Sequence, residues 1–290
     1  MLIFTYGNSR SSIIHHSTSR ASFASSCLVS YSLNLLRQHE LAFLNNYKNY
    51  LEKNMKKQDI YRELEEKMLG YDDYASVPVD AIDDPMIPIE SIPNLTAVQP
   101  YQEMAPYVGW KVYVREGVAR RLGEAASFLV EENPDLRLVV HCGYRALEIQ
   151  KRNFDAEREK LKGSYSEKEL LSATHRLIAV PEVAGHPAGA AVDILIADKR
   201  GNPLQFGTNI REFVPDSYTF SPFIDGEAIR NRQLLRSVML KAGFAPFDGE
   251  WWHFSYGDKE WARYYNQPAA LYNQTDFRAK GLPDEWGCYR

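Results

Sequence analysis

Cysteine is scarce: the 290-residue sequence has three, Cys27, Cys142 and Cys288, far apart and without a C-x-x-C pair. That spacing excludes a disulfide framework and a zinc site built on thiolates, and reads as reduced thiols in a cytoplasmic setting. No uninterrupted apolar run reaches the ~18 residues that a membrane-spanning helix needs. A basic excess is also missing, since 34 Lys and Arg stand against 38 Asp and Glu for a net charge of -4. Such a chain offers no general field to nucleic acid or anionic lipid, so neither nucleic acid nor a membrane is expected as a partner. The oligomeric state is not set by any of this.

Acidic residues are absent up to His39, where serines are abundant and Arg10, Arg20 and Arg37 are scattered. The bias resembles a transit peptide, but polar residues interrupt Cys27 to Leu33, so no secretory apolar core forms. Residues 1–54 are therefore expected to be a disordered or spurious extension, with Met55 opening the first clean helical pattern. Residues 55–100 read as a helix followed by an arm, because Tyr71 to Pro100 holds Pro78, Pro85, Pro88, Pro93 and Pro100. That density excludes a regular helix or a central strand and predicts an extended surface arm. Residues 101–290 are expected to form the functional domain.

Within that domain apolar residues recur every three or four positions at Val118, Leu122, Ala125 and Leu129, predicting a helix over 115–132 that stops at Asn133-Pro134. Helices are likewise expected over 146–161, over 166–177 behind a Ser166/Glu169 capping box, and over 226–242 with Gly243 as the stop. Strands are expected over 136–141, 188–197 and 251–254, the first leading into Cys142-Gly-Tyr-Arg145. Beyond Trp261 no period is evident, and the tail reads as an irregular cap.

Two short stretches carry chemistry. His186-Pro-Ala-Gly-Ala-Ala-Val-Asp193 and Glu250-Trp-Trp-His253 supply two imidazoles and a carboxylate, a set suited to a zinc ion with an open fourth position. Glu250 lies three residues before His253 and suits a general base. In a strand, residues three apart face opposite sides, so a shared site demands an irregular start at Glu250. Arg145, fixed at a strand end, offers a planar fork of donors to a carboxylate or developing oxyanion. His141 and His175 read as structural histidines, with His175 able to approach the site, and Trp251 and Trp252 as packing residues of which one can form a pocket wall.

The patterns H-x-x-G-x-A-x-D at His186 to Asp193, E-W-W-H at Glu250 to His253 and G-Y-R at Gly143 to Arg145 resemble the VanX-type D-alanyl-D-alanine dipeptidases, zinc peptidases that share a fold with the hedgehog signalling domain. The resemblance covers roughly Tyr101 to Phe254, in order. It implies an α+β fold with a small, mostly antiparallel sheet flanked by helices. It also implies one zinc ion on His186, Asp193 and His253, with Glu250 as base and Arg145 at the oxyanion. Gly185 stands where the family has serine. The acid that the family places on the substrate amino terminus falls at Glu212 after a one-residue shift. The expected activity is hydrolysis of a small D-amino-acid peptide, D-Ala-D-Ala above all. The alternatives are a peptidoglycan D,D-carboxypeptidase or endopeptidase and a non-enzymatic zinc-binding interaction module.

Overall fold

A computed structural model describes residues 57–283 together with Lys48. The expectations for residues 1–54 therefore fall outside the described residues, Lys48 excepted. The first described helix is α1 (Lys57–Glu65), which buries Ile60 and Tyr61. Tyr61 donates to Asp216, and Glu65 accepts from the Tyr218 hydroxyl at 2.6 Å, so α1 is tied to a segment some 150 residues later. A single turn, α2 (Tyr71–Tyr74), follows and buries Tyr74.

The proline-rich stretch is extended, with most of its residues exposed or half-buried. It supplies two short strands, β1 (Met86–Pro88) and β2 (Leu95–Ala97), and sends Ile89 into the core with no exposure. Both lie at sheet edges, where flanking prolines leave few ladder hydrogen bonds unmade. After α3 (Ala105–Val108) comes β3 (Tyr113–Arg115), which pairs antiparallel with β1.

The amphipathic pattern around Leu122 forms α4 (Glu116–Glu132), and the β-branched run after Pro134 forms β4 (Leu136–Cys142). Then come α5 (Leu147–Leu161) and α6 (Glu167–His175), the latter opened by the reciprocal Ser166/Glu169 capping box. Strand β5 (Ala191–Asp198) begins three residues later than its pattern predicts. His186–Ala188 instead form a 3-10 turn that Gly189 closes at φ 70°. The left-handed conformation there costs glycine nothing.

Helix α7 (Gly226–Lys241), β6 (Ala245–Pro246), β7 (His253–Ser255) and α8 (Lys259–Tyr264) complete the order. The main sheet runs β2-β4-β5-β7-β6, with β2 parallel to β4 and every other pairing antiparallel. This is the α+β arrangement expected. Leu122, Leu129, Leu138, Ile194, Leu235, Met239 and Phe244, all fully buried, belong to one core between α4, α7 and the sheet.

Two ties hold distant segments together. Arg232 on α7 is 1% exposed and donates to the carbonyls of Phe206, Asp216 and Tyr218 at 2.7–2.9 Å, pinning the long loop before α7. The N-terminal stretch and the tail also zip together. Asp80 N–H donates to Ala270 O and Ala270 N–H to Pro78 O, both at 2.9 Å, and Ile82 N–H reaches Leu271 O at 3.1 Å.

Candidate metal and catalytic site

The register of three strands lines up the central residues. Asp193 on β5 stands opposite His253 on β7 and, on its other side, opposite Cys142 on β4. Directly opposed residues share a face of the sheet. On β4 this depends on a bulge between Val140 and Cys142. The extra residue, His141, drops out of the ladder, so Cys142 rather than His141 stands beside Asp193, and the chain turns into Gly143-Tyr-Arg145.

Asp193 is 2% exposed and surrounded by cations and imidazoles. Its Oδ1 lies 3.3 Å from His186 Nε2 and 3.2 Å from His253 Nδ1, and its Oδ2 lies 3.6 Å from an Arg145 nitrogen. Burial opposes its charge, but His186 and His253 outweigh that and hold the carboxyl well below the usual range. His186 Nδ1 donates to the Gly143 carbonyl at 2.7 Å, which makes Nε2 the bare nitrogen in the neutral ring. A lone pair therefore faces a carboxylate oxygen, an arrangement that only a positive charge between them relieves. A proton is one such charge: burial works against it, yet Cys142 and Asp193 raise His186 to about 10. A divalent cation would serve equally, with the Gly143 carbonyl orienting the ring.

Glu250 joins the cluster through a turn. His253 N–H donates to Glu250 O at 3.0 Å, so residues 250–253 close on themselves and β7 starts at His253, two residues later than its pattern suggests. The turn brings both side chains to one side and removes the opposite-face objection. Ligand atoms of Asp193, Glu250 and His253 lie within 4.8 Å of one another, and so do those of Cys142, His186 and Asp193. Burial pushes Glu250 up to about 8, with the negative charge of Asp193 adding to the effect. A carboxyl with that affinity for a proton suits a base working near neutrality. Trp251 and Trp252 are core residues, Trp251 stacked on Phe206 at 4.1 Å.

Arg145 is 7% exposed. One guanidinium nitrogen donates to Gln150 Oε1 at 2.8 Å and another to Cys142 Sγ at 3.5 Å. Cys142 is thus a buried neighbour of the site, not an incidental thiol. Its sulfur contacts His186 at Nδ1, 3.7 Å away, on the side opposite the nitrogen that faces Asp193. His175 lies in the cavity wall as a structural group, accepting from Val180 N–H and sharing a 2.6 Å hydrogen bond with the Tyr74 hydroxyl.

Glu212 does not reach the site. It is exposed, and its carboxylate is taken up by the backbone and side-chain nitrogens of Asn209 at 2.9 and 3.1 Å. The preceding residue, Arg211, lines the cavity instead, because its left-handed backbone, φ 61°, reverses the direction in which successive side chains leave the loop. Sequence reading also passed over Tyr74, Gln150 and Glu260, which line the same cavity. Tyr74 comes from a segment too distant for any spacing to reveal, whereas Glu260 follows His253 on the short helix α8 and carries no motif of its own.

The glycine at 185 has a local cause. A Cβ built there would lie 2.1 Å from Asp258 Oδ2 and 2.9 Å from the Ala191 Cβ. Asp258 cannot move aside freely, since it caps α8 at Trp261 N–H and accepts from Ser255 Oγ at 2.8 Å. Gly185→Ser is expected to cost about 1–3 kcal/mol through overpacking. Pairing it with Asp258→Ala should make the double variant less destabilised than the sum of the two singles. Additive losses in urea titrations would show that the two sites are not in conflict.

The D-ala-D-ala dipeptidase family profile (Peptidase_M15) matches residues 101–274. A D-alanyl-D-alanine dipeptidase from Synechocystis sp. is 32% identical over 224 residues, covering 67% of this chain and 90% of the relative. One from Escherichia coli (strain K12) is 28% identical over 130 residues, 45% of this chain and 60% of the relative. Among solved structures, a vancomycin-resistance D,D-pentapeptidase VanY mutant in complex with Zn(II) aligns at 21% identity and TM-score 0.34, over 55% of this chain and 82% of the other. The LdcB LD-carboxypeptidase aligns at 21% and TM-score 0.35, over 65% and 76%.

Proposed function

The chain belongs to the D-Ala-D-Ala dipeptidase family of zinc-dependent peptidases, and from that premise we propose that it hydrolyses the free dipeptide D-alanyl-D-alanine with one zinc ion on His186, Asp193 and His253. The observation that carries the reading is the approach of both imidazoles to one Asp193 oxygen, with Glu250 beside them. Two nitrogens and a carboxylate oxygen are the donor chemistry of a catalytic zinc. When bound, the metal supplies Lewis acidity toward the scissile carbonyl and lowers the pKa of water toward ~7.

The remaining work falls to side chains. Glu250 takes a proton from the attacking water and returns it to the leaving amine nitrogen as the C–N bond breaks, so one water is consumed and two amino acids leave. Arg145 sets its guanidinium toward the carbonyl oxygen that becomes negative, and Gln150 and Cys142 fix the fork in place.

A second reading, a carboxypeptidase acting on longer chains, draws support from Arg211. A cation facing the cavity does not suit a free ammonium group and would tolerate an acylated nitrogen. The two readings separate by metal analysis combined with D-alanine release from D-Ala-D-Ala, from N-acetyl-D-Ala-D-Ala and from a pentapeptide ending in D-Ala-D-Ala. The dipeptidase should carry one zinc per chain and work best on the free dipeptide. A preference for the pentapeptide would transfer the assignment to the carboxypeptidase.

A further inference from the structure

A free dipeptide brings an ammonium group within a few ångströms of the bond to be cut, and that charge needs an acceptor inside the cavity. Three acids line it among the described residues: Asp193, Glu250 and Glu260. Asp193 is committed to two histidines and an arginine. Glu250 must be free to exchange protons with water. Glu212 faces solvent, and Arg211 repels a cation from its own wall.

Glu260 remains, and its state is unusual. It sits at the second position of α8 and is 7% exposed, yet its Oε1 has no hydrogen-bond partner in the structure. A buried acceptor left empty is costly unless something visits it. Its nearest charged influences are the acids Asp258, Glu250 and Asp248, so no fixed cation compensates it, and burial together with these neighbours drives its carboxyl well above the ordinary range. On the adjoining wall Val180 N–H occupies His175 Nδ1, so His175 carries its proton on Nε2 and gives it to the Tyr74 oxygen. An arriving ammonium would supply the positive charge that the Glu260 carboxyl lacks and favour its ionised form.

We infer that Glu260 receives the α-ammonium group of the dipeptide and so makes this cavity selective for an unblocked amino terminus. The inference rests on the dipeptidase reading. Glu260 shares one cavity with Arg145, Glu250 and the candidate metal ligands, so an ammonium held there stays in the space where the carbonyl would be attacked.

The test compares kcat/KM for D-Ala-D-Ala with kcat/KM for N-acetyl-D-Ala-D-Ala in the zinc-loaded parent, Glu260→Gln and Glu260→Asp. Gln keeps the shape and removes the charge, and thermal melting of each variant reports the fold. The parent should prefer the free dipeptide, and Glu260→Gln should cut that preference by roughly tenfold to a hundredfold, chiefly through KM, as loss of a charged hydrogen bond predicts. Glu260→Asp, with its charge retained but withdrawn, should fall between, and it stands in for Gln if that variant does not fold. Equal losses on both substrates, or an Asp variant with the parent's preference, would overturn the inference in favour of a structural role. A parent that cleaves only blocked peptides would overturn it while leaving a zinc peptidase in place. A zinc-loaded parent that cleaves neither would remove the dipeptidase reading and this inference with it.

Discussion

Glu250→Gln is expected to keep the fold and the zinc and to lose between ~100- and ~10,000-fold in kcat, the range that general acid–base catalysis supplies. The side chain hangs from a turn, not from the ladder, and neither of its carboxylate oxygens anchors a strand, so glutamine can take the same place. What glutamine cannot do is accept a proton, and the native group is tuned for that by burial and by Asp193. The check is single-turnover hydrolysis of D-Ala-D-Ala alongside metal content. Parent-like turnover with zinc in place would make Glu250 a bystander. Loss of zinc would make it a ligand, and the base would have to be sought elsewhere.

Asp193→Asn should abolish both metal binding and turnover. One carboxylate answers three partners, and its Oδ1 is shared by both imidazoles. An amide presents two N–H donors or one oxygen but no charge, so the positive side chains around it lose their counter-ion. Removing one partner from a buried ionic cluster costs about 3–5 kcal/mol. The metal-free variant should therefore also unfold earlier in urea than the metal-free parent. Stoichiometric zinc at parent turnover in Asp193→Asn would take the aspartate out of the site.

Much of this arrangement was legible along the chain because it is periodic. α4, α5 and α7 lie within a residue or so of the ranges their apolar spacing marks, and β4 and β5 follow their β-branched runs. What was hidden depends on single residues that break a period. The bulge at His141 decides which neighbour Asp193 meets, and no local pattern distinguishes His141 from a ladder residue. The turn at Glu250 reverses a strand-parity argument that would have separated it from His253. At position 211 a left-handed backbone exchanges an arginine for a glutamate in the cavity wall. The proline-rich stretch forms no central strand, in keeping with its prolines, and the three-residue edge strands it does form are too short to show a period. Glu260 and Tyr74 reach the cavity only through tertiary packing.

The zipper between residues 78–82 and 270–271 bears on how the protein is made. During synthesis the first of these segments emerges nearly 200 residues ahead of its partner. Over that interval its carbonyls and N–H groups have only water or a transient partner to pair with, whereas Tyr74 can meet His175, 101 residues after it. Loop closure over such a span adds little to the final free energy, since its entropy grows only with the logarithm of length, but it delays the step. His186, Asp193 and His253 can thus assemble before the cavity around them is closed, and a released chain truncated near residue 265 should be protease-sensitive ahead of β1 while its central strands resist.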